Sequence, residues 1–114
     1  MLAQWGIPHL YVSRTPQDRD AIDYEAVKAQ PWPAHWLWIQ ATPLGSAHFP
    51  DQAPDIPYEQ LGPGHTAIDL VYEPQQTVFL QRAQAQGASA HNGMAMLHAQ
   101  AEAAWTLWQD ALPL

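Results

Sequence analysis

The chain has 114 residues, no cysteine, eleven prolines against six glycines, and a formal charge of −7 from four Lys+Arg and eleven Asp+Glu. That length suits one domain, and 47% apolar with 13% charged residues is a globular composition rather than a disordered one. A disulfide scaffold, thiolate catalysis and cysteine-ligated metal are excluded, and the acidic balance argues against binding nucleic acid or an anionic membrane surface.

Residues 2–6 read as a last helical turn with Gly6 as its stop, so the chain opens inside an element. Residues 9–13, rich in strand formers, are closed by polar residues and Pro16. A polar stretch follows, in which Ala21 and Ile22 could make a brief strand. Residues 24–29 have helix-forming composition and end before Pro31 and Pro33. Trp36-Leu37-Trp38-Ile39 is a continuous apolar run, as in a strand buried on both faces.

Residues 43–64 form a long loop punctuated by Pro and Gly, with one helical turn at 58–61, and loops of that length tend to carry function. Residues 66–72 read as another strand, and 76–86 as a helix with Val78, Phe79, Leu80 and Ala83 inward and Gly87 as its stop. Residues 88–90 are a short strand. A last helix over 94–108 places Met94, Leu97, Ala101, Ala104, Trp105 and Trp108 at i, i+3, i+4 spacings. Strands alternating with helices predict an α/β fold with a mostly parallel sheet. No run approaches the roughly 20 apolar residues of a membrane span and no secretory pattern is present, so a cytoplasmic location is expected.

The six histidines show no metal-ligand spacing, and no P-loop or Gly-x-Ser-x-Gly elbow is present. No metal site is expected, and the carboxylates at Asp18/Asp20 and Asp23/Glu25 read as solvated turns. More telling is Ser13-Arg14-Thr15 after the first full strand. In a doubly wound sheet, ligands gather outside the carboxyl ends of the strands, and an Arg there pairs with a 2′-phosphate, favouring NADP over NAD. Thr42-Pro43-Leu44-Gly45 ends the next strong strand, either as a plain turn or as a ligand-facing one. Asp69 lies inside an apolar strand, which is costly unless it is hydrogen-bonded. Tyr72 at that strand's carboxyl end is either a half-buried aromatic or a phenol offered to a ligand. Gly93 opens the final helix, and Gln100 is either a packing residue or a polar finger toward a ligand.

Together these segments resemble the C-terminal half of shikimate dehydrogenase. The strongest stretch runs from Asp69 to Trp108: Asp-Leu-Val-Tyr-x-Pro-x-x-Thr-x-Phe-Leu, then Gly87, then Asn-Gly-x-x-Met-Leu-x-x-Gln. Upstream, Ser-Arg-Thr and Ala-Thr-Pro-Leu-Gly resemble the family's Asn-Arg-Thr and Asn-Ala-Thr-Pro-Leu-Gly, and Pro-Asp-Ile-Pro-Tyr-Glu at 54–59 fits the loop that follows. The chain departs from the family pattern at Ser13, Gln40 and Glu73, each standing for an Asn.

The resemblance implies an oxidoreductase of aromatic amino acid biosynthesis, the chorismate pathway, reducing 3-dehydroshikimate to shikimate with NADPH. It implies cofactor contacts from Ser13, Arg14, Thr15, Ala41, Thr42, Pro43, Leu70, Gly93, Met96 and Leu97. Substrate contacts are implied for Tyr72 and Gln100, and no catalytic residue is carried over. The implied fold is an incomplete Rossmann-like doubly wound parallel sheet lacking the first strand and the glycine-rich loop, over residues 1–114 as a partial NADP-binding domain that includes the C-terminal helix. Without the family's substrate domain and its Lys and Asp, the chain alone is expected to be inactive. The alternatives are a noncatalytic α/β module associating with a separate N-terminal half, and an α/β interaction domain unrelated to cofactors. Open inner edges on strands 9–13 and 36–41 predict marginal stability, self-association, or direct pairing of those two strands.

Overall fold

A computed structural model of the chain describes residues 4–16 and 21–111. Strands β1 (Tyr11–Val12) and β2 (Ala21–Ile22) are followed by helix α1 (Tyr24–Ala29) and strand β3 (Trp36–Gln40). A long loop with a 3₁₀ turn at Tyr58–Gln60 leads to strand β4 (His65–Asp69), helix α2 (Val78–Ala85), strand β5 (Ser89–His91) and helix α3 (Met94–Ala111). Every registered strand pair is parallel, so the fold is α/β as expected. The strands form two sheets, β1-β2 and β3-β4-β5, and β1 does not pair with β3. Of the opening helical turn, Leu2 and Ala3 lie outside the described residues, while Gln4, Trp5 and Gly6 form a turn in which Gly6 is left-handed at φ +68°.

Local chemistry sets the helices. Asp23 caps α1 by accepting a hydrogen bond from the Ala26 amide at 2.8 Å, so it is more than a solvated carboxylate. Lys28, in the last turn of α1, reaches Glu25 at 2.8 Å and Asp55 at 2.6 Å, tying the helix to the long loop. Thr77 caps α2, and Gly87 ends it at φ +90°. The core joins Trp38 and Ala67 of the sheet to Phe79 and Leu80 of α2, Val27 of α1, and Ile56 and Leu61 of the loop.

The base of β3 is held by an aromatic cluster. The Trp38 indole donates to Nδ1 of His65 at 2.9 Å, and Nε2 of His65 donates to the Pro33 carbonyl at 2.9 Å, which fixes the neutral tautomer. Trp32 packs at 5.2 Å from Trp36 and 5.3 Å from Trp38, and its own indole donates to the Val27 carbonyl. Gly64 is required beside this cluster, because a Cβ there would sit 2.1 Å from the Ala34 carbonyl oxygen.

Three expectations are corrected. β3 is not buried on both faces: Leu37 is 51% and Ile39 48% exposed, because β4 is its one strand partner among the described residues and the core covers the face of Trp38. The inward stripe of α3 is not inward either. No residue of α3 is buried, and Trp105 and Trp108 are 56% and 62% exposed, because no described element packs along most of its length. Strand β4 also ends at Asp69, short of Tyr72.

Burial raises the phenols of Tyr24 and Tyr58 above the ordinary tyrosine value of 10.0; Arg82, over the Tyr58 ring at 5.4 Å, opposes the shift at Tyr58. A raised folded value means the stabilisation is complete below about pH 10 and is lost as the pH climbs through the folded value. Thermal melting between about pH 9 and pH 11 should therefore show falling stability, and the fall should be shallower in Tyr58→Phe. An equal slope in the variant would show that Tyr58 contributes nothing to the pH dependence.

Candidate functional site

The residues singled out in the sequence follow the carboxyl ends of parallel strands. Ser13, Arg14 and Thr15 follow β1; Ala41, Thr42 and Pro43 follow β3; Leu70 and Tyr72 follow β4; Gly93 comes after β5. Ala41 and Thr42 share one cleft with Val12, which brings the ends of β1 and β3 together. Met96 and Leu97, on the first turn of α3, are exposed. Gln100 lies about 10 Å farther along the helix axis than Gly93 and is exposed.

One buried hub positions this edge. Asp69 is fully buried at the end of β4. Its Oδ1 accepts from the Val71 amide at 2.9 Å and, at longer range, from the Gln40 amide group at 3.4 Å. Its Oδ2 accepts from the Thr77 hydroxyl at 2.6 Å, and that hydroxyl oxygen in turn accepts from the Leu80 amide at 3.3 Å to cap α2. Gln40 donates to the Leu44 carbonyl at 2.8 Å and accepts from both the amide and the hydroxyl of Thr42. The Thr42 hydroxyl is therefore turned back into the protein. Gly45, at φ +90°, closes this loop against Thr77, where a Cβ would come within 3.1 Å of the threonine Cβ.

Gly93 has its own steric reason. A Cβ there would sit 2.5 Å from the Leu70 carbonyl oxygen, and the Gly93 amide donates to Val71 at 3.3 Å, so α3 starts hard against the end of β4. Asn92 accepts from the Met94 amide at 3.0 Å and donates to the Gln75 carbonyl at 3.2 Å, clamping the same junction.

The cationic feature of the edge is Arg14. It is exposed, and among the described residues the ion pairs are those of Lys28, so no carboxylate engages Arg14. The turn behind it is set by the Thr15 amide donating to the Ser13 hydroxyl at 3.2 Å and the Ser13 amide donating to Ile22 at 3.0 Å. Beside Tyr72 lies a recess of about 310 Å³ lined by Ser46, Ala47, His48, Val71, Tyr72 and Glu73. Sequence reasoning named the long loop as functional but did not name Ser46 or His48 as facing Tyr72. The signal available was their place directly after the Thr-Pro-Leu-Gly turn. Among the described residues no cluster could hold a metal ion, and no helix is long and apolar enough to cross a membrane.

A parallel α/β sheet with its polar and glycine positions gathered past the strand ends is a Rossmann-like domain, here incomplete at the centre of its sheet. The chain is 36% identical over 124 residues to the shikimate dehydrogenase (NADP(+)) of Desulforamulus reducens, covering 94% of this chain and 43% of the relative. It belongs to the shikimate dehydrogenase family. The corresponding enzyme of Synechocystis sp. is 33% identical over 99% of this chain and 46% of its own length, and that of Chlorobium chlorochromatii 49% identical over 63% and 26%. A crystal structure of a chorismate mutase/shikimate 5-dehydrogenase fusion protein from Clostridium acetobutylicum superimposes with a TM-score of 0.75 at 29% identity, over 87% of this chain and 36% of that one. No family model matches the chain. The chain spans less than half the length of these curated relatives.

The hub yields a stability prediction. Thr77→Val keeps the side-chain shape but removes the α2 cap and leaves Asp69 Oδ2 without its donor. It should cost about 3 kcal/mol in urea unfolding, and Thr77→Ser should recover most of it. A Val variant within about 0.5 kcal/mol of the native chain would show the hub to be dispensable.

Proposed function

We propose that residues 1–114 form the cofactor-binding, C-terminal portion of a cytoplasmic NADP-dependent shikimate dehydrogenase, with α3 as its closing helix, serving the interconversion of 3-dehydroshikimate and shikimate. The observation that carries this reading is Arg14: an exposed guanidinium without a carboxylate partner among the described residues, placed just past a parallel strand. A guanidinium matches a phosphate dianion in a forked geometry, and the Ser13 turn presents it outward. Arg14, Ser13 and Thr15 would hold the 2′-phosphate. Ala41, Thr42, Pro43 and Leu70 would line the cofactor, with Gly93, Met96 and Leu97 on the nicotinamide side, and Tyr72 and Gln100 would face the substrate. The bound cofactor supplies the hydride.

The residues fit one end of that ligand better than its middle. A pyrophosphate anchor calls for a glycine turn leading from a strand into a helix N-terminus. Gly62-Pro63-Gly64 leads into β4 instead, and Gly64 is taken up by packing on Ala34. A polypeptide of these 114 residues alone is therefore proposed to bind NADP weakly and to be inactive.

A second reading, a noncatalytic module that associates with a separate N-terminal half, is favoured by α3, whose Trp105 and Trp108 are exposed on a helix with no buried residue. Both readings are open to measurement. In calorimetric titration NADP should bind the 114-residue chain more tightly than NAD, and Arg14→Ala should abolish that preference, a loss of about tenfold. Shikimate-dependent NADP reduction should be absent with the chain alone and appear when a relative's N-terminal half is added. Equal affinity for the two cofactors, unchanged in the Ala variant, would sink the Arg14 assignment; turnover by the chain alone would sink the inactivity.

A further inference from the structure

We propose that Asn92–Gly93 is a latent covalent modification site. Docking of α3 on β4 holds it unreactive, and opening of that junction lets the Asn92 side chain cyclise onto the Gly93 nitrogen and convert to isoaspartate. The inference stands on this junction alone and is independent of whether a cofactor binds.

The sequence supplies the reactive pair. Asn92 is the single asparagine of the chain, and glycine follows it. Glycine has no side chain to shield its nitrogen and adopts many backbone conformations, so it is the neighbour that least hinders attack on an asparagine carboxamide. In the reaction the Gly93 amide gives its proton to hydroxide, and the nitrogen attacks Cγ of Asn92. The new Cγ–N bond forms, the Cγ–Nδ2 bond breaks, and Nδ2 takes a proton from water and leaves as ammonia. Water then opens the succinimide at one of its two carbonyls. Cleavage at Cγ gives aspartate with the ordinary main chain, whereas cleavage at the main-chain carbonyl gives isoaspartate, whose main chain runs through Cβ and Cγ. Each route takes in water and releases ammonia, with no change of oxidation state.

The fold opposes this chemistry at every atom involved. The leaving nitrogen donates to the Gln75 carbonyl at 3.2 Å, and Oδ1 accepts from the Met94 amide at 3.0 Å, so both ends of the carboxamide are held. Gly93 is buried, and the proton that must be lost is engaged by the Val71 carbonyl at 3.3 Å. The Gly93 carbonyl accepts from the Leu97 amide at 2.9 Å, which ties the residue into the first turn of α3. Ring closure therefore forfeits the bonds to Gln75 and Val71, and its rate follows the fraction of time the junction is open, as amide exchange does.

The two products differ in what the fold accepts. Aspartate keeps the main chain and still accepts from Met94, at a helix start where negative charge is favoured, but it has no donor for Gln75. Isoaspartate lengthens the main chain by one carbon, about 1.5 Å, directly before a residue with no spare room. A Cβ on Gly93 would already sit 2.5 Å from the Leu70 carbonyl oxygen. With isoaspartate in place the start of α3 cannot return to its seat, so the modification undocks Gly93, Met96 and Leu97 from the end of β4 irreversibly.

The test incubates the full 114-residue chain in mildly alkaline buffer, folded and in urea, beside a folded Met94→Pro variant. Met94 is the first residue of α3, where proline is tolerated, so this change deletes the donor to Asn92 and spares the helix. Peptide mapping follows the mass gain at residue 92, and methylation by protein isoaspartyl methyltransferase counts the isoaspartate. The folded chain should react at least about tenfold more slowly than the chain in urea, and Met94→Pro several-fold faster than the native folded chain. In the isoaspartate fraction, amide exchange should speed up in the first turn of α3 while β4 stays protected. Equal rates in the folded and urea samples, or an unchanged rate in a folded Met94→Pro, would overturn the protection. A Met94→Pro chain that fails to fold must react at the urea rate, and a slower rate there would overturn it too. Native exchange of α3 in the isoaspartate fraction would overturn the undocking.

Discussion

Asp69 is a carboxylate in the interior that no lysine or arginine among the described residues pairs with, and the rest of the edge is arranged around that fact. Burying such a group is tolerable only if hydrogen bonds replace its lost water. The donors come from three separate pieces of chain: the Val71 amide, the Thr77 hydroxyl and, at longer range, Gln40. Two of these donors have a second task. Thr77 caps α2, and Gln40 ties the loop after β3 through Leu44 and Thr42. The cost of one buried charge is thereby converted into a fixed relation between β3, β4 and α2. Loss of any member strands the others in a medium where an unpaired polar group is expensive.

A strand at the edge of a sheet is ordinarily the first to fray, yet β3 is braced at both ends. Its base is locked by Trp38, His65 and Pro33, and its top by Gln40 within the Asp69 hub. Rigid β3 beside the short strand β1 gives the cleft one firm wall and one lightly held one. Strand β1 has two residues, pairs with β2 alone, and reaches the core through Val12.

Much of this architecture was legible in the residues because local rules and tertiary packing agree for most elements. The brief strand at Ala21 and Ile22, the six-residue helix α1, the turn at Tyr58 and the glycine stop at Gly87 all carry local chemistry that survives folding. The two failures that concern burial share one cause. Trp36-Leu37-Trp38-Ile39 and the stripe of α3 announce burial, but a hydrophobic pattern says only that a surface wants covering, not that these residues cover it. Asp69 was recognisable as a costly residue needing partners, whereas Thr77 and Gln40 as those partners were not, because they are 8 and 29 positions away and meet it only in the folded sheet. The facing of His48 and Ser46 onto Tyr72 is hidden for the same reason.

Departures from the family pattern acquire a physical meaning from the hub. Gln40 stands where the family has Asn, and its longer side chain reaches across to Asp69 and down to Leu44 while accepting from Thr42. The substitution thus keeps the loop tied from within. At Glu73 the opposite holds: that side chain lines the recess beside Tyr72, where it adds negative charge to a mostly apolar surface shared with Ala47 and Val71. A change at Gln40 alters how the scaffold is held, and a change at Glu73 alters the charge of the recess. Gly93 belongs with the scaffold, since the Leu70 carbonyl alone forbids a larger residue there whatever ligand is bound. The positions of the edge are therefore set by packing and buried hydrogen bonds, and Arg14, Tyr72 and Glu73 are the side chains it leaves exposed.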